Sequence, residues 1–103
     1  MPAPYRIVLA NLAVSDLDVI FAYLAQYSQR TATVMIGKVL KSIQSLENFP
    51  YRNVVSPQPP RVKTPVRSLP VKPYVIFFRV DEEESIVRIL RVRHGKRKPL
   101  RRY

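Results

Sequence analysis

The chain has 103 residues, no cysteine, one histidine, ten prolines, a hydrophobic share of 47% and a formal net charge of +11. That length supports one domain, 1–103, with one modest core, and the missing cysteine excludes disulfides and thiolate metal sites. No apolar run approaches the roughly 18 residues of a spanning helix and no signal peptide is visible, so a cytoplasmic protein that avoids membranes is expected.

The charge is lopsided. Residues 1–50 carry four Lys/Arg against three acids, whereas residues 51–103 carry fourteen against four. Solubility alone does not need cations concentrated in one half, and such a field favours an anionic partner. There is no glycine-rich phosphate loop and no internal repeat, and neither a metal nor a cofactor is expected.

Tyr5–Ala10 (YRIVLA) reads as a first strand, with Tyr5, Ile7 and Leu9 on one face. Ser15 and Asp16 are candidate N-caps of a helix over Ser15–Tyr27, whose apolar face is Leu17, Ile20, Phe21, Leu24 and Tyr27. After a short polar link, Thr31 can cap a second helix with Ala32, Met35, Val39, Ile43 and Leu46 on its apolar face; Gly37 weakens it or permits close approach to the first helix. Asn48 and Pro50 end it. Residues 50–73 hold seven prolines, so Tyr51–Thr64 reads as a stiffened loop and Val66–Leu69 as a short edge strand between Pro65 and Pro70.

Tyr74–Val80 and Ile86–Val92 are rich in Val, Ile and Phe and flank the polar Asp81–Ser85, the pattern of an antiparallel hairpin with a solvated acidic turn. The second strand runs into a basic tail, 95–103. From Arg88 onward there are eight Lys/Arg and no acid. Gly95 is placed to let the chain leave the sheet by a turn. A helical hairpin is the only cover available for the sheet. The expected fold is therefore α+β and two-layered: β-α-α-β-β-β, with an antiparallel helical hairpin on a small, mostly antiparallel four-stranded sheet. The expected core includes Leu17, Ile20, Leu24, Met35, Val39, Ile43, Leu69, Val75, Phe77, Ile89 and Leu90.

Four pieces in this order resemble the RelE/ParE superfamily of toxins from type II toxin–antitoxin modules, and most closely its ParE, plasmid-stabilisation branch. Ala13-Val-Ser-Asp16-Leu17 with Ile20 and Tyr23-Leu-Ala25 resembles the family's first helix, A-x-x-D-L-x-x-I-x-x-Y-[IL]-A. Leu46-Glu-Asn-Phe-Pro50 resembles L-x-x-F-P at the end of the second. Arg67-Ser-Leu-Pro-Val71 with Tyr74-Val-Ile-Phe-Phe-Arg-Val-Asp81 resembles the R-x-L-P-V…Y-V-I-F-Y-R-V-D strands. Leu90-Arg-Val-Arg-His94-Gly-Lys-Arg97 resembles the L-R-V-L-H-G-x-R ending. Arg93 stands where the family usually has an apolar residue, and Pro99–Tyr103 extends past the usual ending.

The resemblance implies a toxin neutralised by an acidic, ParD-like antitoxin, held in a hetero-oligomer through Leu17, Phe21, Leu24, Met35, Arg67 and Arg79. The H-G-x-R ending points to the branch that inhibits DNA gyrase without catalysis of its own, with Arg91, Arg93, His94, Lys96 and Arg97 as the contact surface. The alternative is a RelE-like, ribosome-dependent mRNA endonuclease. Cleavage by the 2′-hydroxyl needs a base, a cation for the phosphorane and an acid, parts that Arg67, Arg91, His94 and Tyr103 can supply. A third reading is a basic nucleic-acid-binding module with neither activity, its affinity falling steeply with salt.

Overall fold

The computed structural model describes residues 4–51 and 64–95. Six elements follow in order: β1 (Arg6–Leu9), α1 (Asn11–Ala25), α2 (Gln29–Ser45), β2 (Arg67–Val71), β3 (Tyr74–Asp81) and β4 (Ile86–His94). The sheet order is β1-β4-β3-β2. β1 pairs parallel to β4, from Arg6 opposite Ile86 to Leu9 opposite Ile89, and the other two pairings are antiparallel. The expected α+β architecture is observed, and β2, with Pro70 inside it, lies at the sheet edge, where a missing N–H is tolerated.

Both helix starts differ from expectation. α1 begins directly after the strand: the Ala10 amide donates to the Ile89 carbonyl at 2.9 Å, and the Ala10 carbonyl then accepts from Ala13 and Val14. No side chain caps this end, so Ser15 and Asp16 lie inside the helix. In α2 the cap is Ser28, whose Oγ accepts from the Thr31 amide at 3.1 Å, and Thr31 sits in the first turn. Gly37 faces open space, since a Cβ there would meet nothing within 4 Å, so it makes no close helix contact.

The core lies between the helical hairpin and one face of the sheet. Phe78, Ile76, Ile89, Val87, Val92, Leu46 and Val39 are its largest fully enclosed side chains, with Val66 enclosed nearby. Along β3, Tyr74, Ile76, Phe78 and Val80 are buried while Val75, Phe77, Arg79 and Asp81 are half-buried. This corrects the expectation that Val75 and Phe77 are core: YVIFF is apolar in both phases, and only the partner strands decide which phase meets the helices. Leu17, Leu24 and Met35 pack partly buried against the core, and Ile20, Val39, Ile43, Leu69, Ile89 and Leu90 are buried as expected. Ile89 and Leu90 are neighbours, which simple alternation forbids. A bulge resolves this: Phe77 pairs with Arg91 and Phe78 with Ile89, leaving Leu90 as an extra residue in β4.

Candidate functional site

β1 covers only the first half of β4; beyond Ile89 the chain has turned into α1, which runs beside the rest of that strand. Asp16, in the second turn of α1, bridges the two. Its carboxylate accepts from Arg91 Nε at 2.8 Å, from Arg91 Nη2 at 3.0 Å and from the Val92 amide at 2.9 Å. The ion pair is largely enclosed, with side-chain exposures of 18% for Arg91 and 15% for Asp16. The hydrogen bonds to Asp16 hold the Arg91 guanidinium protonated even more firmly than usual. Arg91 is thus fixed in a planar, forked pair rather than left to sweep through solvent.

Beyond this bridge, a cavity of about 670 Å³ opens between α1 and the ends of β3 and β4. Val19, Ile20, Tyr23 and Leu24 form one bank; Tyr74, Arg93 and His94 form the other. His94 meets the Tyr74 ring edge-on at 5.7 Å between centroids. Arg93 is half-buried, and its Nε has no acceptor among the described residues. Gly95 closes the strand: its amide donates to the Pro73 carbonyl at 2.7 Å, and a Cβ would sit 3.3 Å from that oxygen. Close approach, rather than a left-handed turn, is the reason for glycine, since no glycine among the described residues has positive φ.

The remaining expected site residues are scattered. Arg67 lies over the Tyr51 ring, 4.9 Å from its centroid, and donates through Nη2 to the Tyr51 carbonyl at 3.5 Å. It pairs with Phe78, four residues along β3 from Tyr74, which pairs with His94. Arg67 and His94 are therefore offset by about 13 Å along the strands, on opposite sides of β3. Arg79 stands opposite Arg88. Leu17, Leu24 and Met35 lean into the core, and Phe21 is half-buried. Lys96, Arg97 and Tyr103, the rest of the tail and most of the expected proline loop lie outside the described residues.

Sequence reasoning missed two features. One is the Asp16 bridge. The other lies at the acidic turn expected to be merely solvated: Glu82 accepts from Tyr5 Oη at 2.7 Å and from Tyr51 Oη. Those bonds, Tyr51's first, hold the Glu82 carboxyl below its usual range. Burial, then Glu82, raises the Tyr51 phenol; the Glu82 bond is the main cause of the rise at Tyr5. Residue type gave no signal for either, because Asp16 and Arg91 are 75 positions apart, Tyr5 and Glu82 77, and Tyr51 and Glu82 31, and only the folded chain brings them together.

Among the described residues no group of His, Cys, Asp and Glu could hold a metal ion, and no helix is long and apolar enough to cross a membrane. The model of one family, the ParE toxin of the type II toxin–antitoxin system parDE, matches residues 7–99. Among solved structures, the chain is similar to the chromosomal ParDE system of P. aeruginosa, with 21% identity, a TM-score of 0.71, and coverage of 89% of this chain and 97% of that one. It is also similar to the RelBE2 toxin–antitoxin complex of Mycobacterium tuberculosis (23% identity, TM-score 0.61, 91% and 94% covered). The archaeal RelE–RelB complex of Pyrococcus horikoshii has the same fold (14% identity, TM-score 0.65, 92% and 99% covered). No curated protein matches the sequence significantly.

Proposed function

The chain belongs to the ParE toxin family of type II toxin–antitoxin systems, and from that premise we propose that it acts by binding DNA gyrase rather than by catalysis, and is neutralised by an acidic antitoxin. The observation that supports the gyrase reading is the arrangement of the three described residues among those an endonuclease would need, Arg67, Arg91 and His94. Arg91 is occupied by Asp16, and Arg67 sits over Tyr51, about 13 Å along the sheet from His94. General acid–base cleavage needs its proton-transfer groups within hydrogen-bond reach of one phosphodiester. A strand end presenting Arg93 and His94, followed in the sequence by Lys96 and Arg97, suits a contact surface instead. The full-length likeness to ParDE and RelBE proteins supports an antitoxin partner.

Two assays on one preparation test this. One follows supercoiling by purified gyrase and trapped cleavage complexes on plasmid DNA; the other follows mRNA on translating ribosomes. Gyrase inhibition with intact mRNA is expected, with Arg93→Ala weakening inhibition a few-fold and His94→Gln mild. Codon-positioned mRNA cuts that fall by about 10²–10⁴-fold in His94→Gln, with gyrase untouched, would replace this reading with the endonuclease.

A further inference from the structure

The helices cover one face of the sheet, and the other face is basic. Along β3 the core takes Tyr74, Ile76, Phe78 and Val80, so Arg79 and Asp81 lie on the side away from the helices. Register carries this across the sheet, because residues directly opposite share a face. Arg88 stands opposite Arg79, Arg93 opposite Val75, and Arg6 beside Ile86, which is itself opposite Asp81. Arg91, opposite Phe77, belongs to this face too, but Asp16 takes its charge. From Arg6, level with Ile86, to Arg93, level with Val75, the arginines span about 20 Å of sheet. Among the described residues, Arg6, Arg79, Arg88 and Arg93 meet no carboxylate. Asp81, the one acid among the described residues of this face, stands at its end and takes the Glu84 amide at 3.1 Å.

From this we propose that the outer sheet face binds the phosphate backbone of double-stranded DNA through Arg6, Arg79, Arg88 and Arg93. The proposal rests on the gyrase reading for the choice of DNA, and goes beyond it by giving the toxin a nucleic-acid contact of its own. Arg79, which the resemblance assigned to the antitoxin, belongs here to the DNA face. Like charges directly opposite in a sheet are destabilising, yet Arg79 and Arg88 face each other with no acid between them. An anion laid across the pair offsets that repulsion. Residue type narrows the anion. Among the described residues every cation inside a strand is arginine, while the lysines stand on α2 and in the turn at Lys72. Arginine's planar fork matches phosphate oxygens where lysine is only a point charge. A carboxylate-bearing protein would suit the same forks, but a protein interface also needs apolar anchors at its centre. Every exposed large apolar side chain among the described residues lies between Leu12 and Tyr51, on the helices or beside them, and none on the sheet. The same distribution disfavours single strands, which bind by stacking bases on exposed aromatic rings. A duplex backbone needs neither anchor nor stacking. About 20 Å of sheet spans about six base steps at about 3.4 Å each.

The test uses the full chain, without gyrase, and a fluorescently labelled DNA duplex of mixed sequence. Anisotropy gives the affinity over a salt series, and circular dichroism confirms that each variant is folded. The double variant Arg79→Ala/Arg88→Ala is compared with Lys38→Ala/Lys41→Ala, which removes the same charge from exposed positions on α2. Each arginine removed from the face is expected to make the slope of log affinity against log salt shallower by about 0.9, so about 1.8 for the pair. The α2 pair should keep the wild-type slope. Should Arg79→Ala perturb folding, Arg6→Ala/Arg88→Ala, both exposed, gives the same readout. Duplexes of different sequence should bind alike, since backbone contacts carry no sequence information. A wild-type slope in the folded sheet variants would overturn the proposal and leave the binding to cations elsewhere. Equal losses from the sheet and α2 pairs would overturn it as well, as would tighter binding to single-stranded DNA or RNA than to the duplex. If the duplex slopes come out as expected while purified gyrase is untouched by the chain, the DNA face stands and the gyrase reading fails.

Discussion

Asp16 shows how one carboxylate can serve two strands' worth of structure. It neutralises Arg91 and satisfies the Val92 amide that β1 is too short to reach. Removing it leaves a largely enclosed guanidinium and an edge N–H without partners. Asp16→Ala is therefore expected to cost about 1.5–3 kcal/mol, read by urea denaturation. Glu82 gives a second prediction, in pH. Its carboxyl is held below its usual range by Tyr51 and Tyr5, so the folded state favours the ionised form. The stabilisation is fully present above the ordinary glutamate value and fades as pH falls through the lowered one. The Tm advantage of wild type over Glu82→Gln should accordingly persist at pH 6 and shrink below about pH 4. Neither residue announced this role. Aspartate ahead of an apolar stripe is what a helix cap looks like, and three glutamates between two strands are what a solvated turn looks like.

At the level of elements, much was legible: two helices from their spacing, the hairpin from its paired apolar runs, and the edge strand from its prolines. These signals are local, which is why they survive in a single sequence. What failed was phase. Thr31 and Ser28 are equally good caps on paper, and the first N–H to be satisfied decides for Ser28. Ser28→Ala should cost about 1 kcal/mol in thermal or chemical unfolding, and Thr31→Ala clearly less. In β3 the choice between Phe77 and Phe78 depends on the register with β4, which the Leu90 bulge shifts. Phe78→Ala, emptying a fully enclosed site, should cost about 3–5 kcal/mol, and Phe77→Ala markedly less. Equal losses would mean that the helices cover the other face.

For the whole molecule, charge and topology matter most. A chain at +11 should meet an acidic partner quickly at low salt and progressively more slowly as salt is added. Stopped-flow association over a salt series reads this directly. The topology has its own consequence during synthesis. The helical hairpin is built from neighbours in the chain and can form as soon as residue 45 or so is free. β1, however, finds its partner only at Ile86–Ile89, so Arg6 waits for a residue 80 positions later. Closing a loop of that size costs about 4 kcal/mol of chain entropy before any pairing offsets it. The sheet therefore cannot be completed on a nascent chain that stops short of β4. Ribosome-bound chains arrested before residue 86 should stay open to protease and harmless, and resistance should appear abruptly once β4 has emerged. A toxin built this way is assembled only after its last strand has been made.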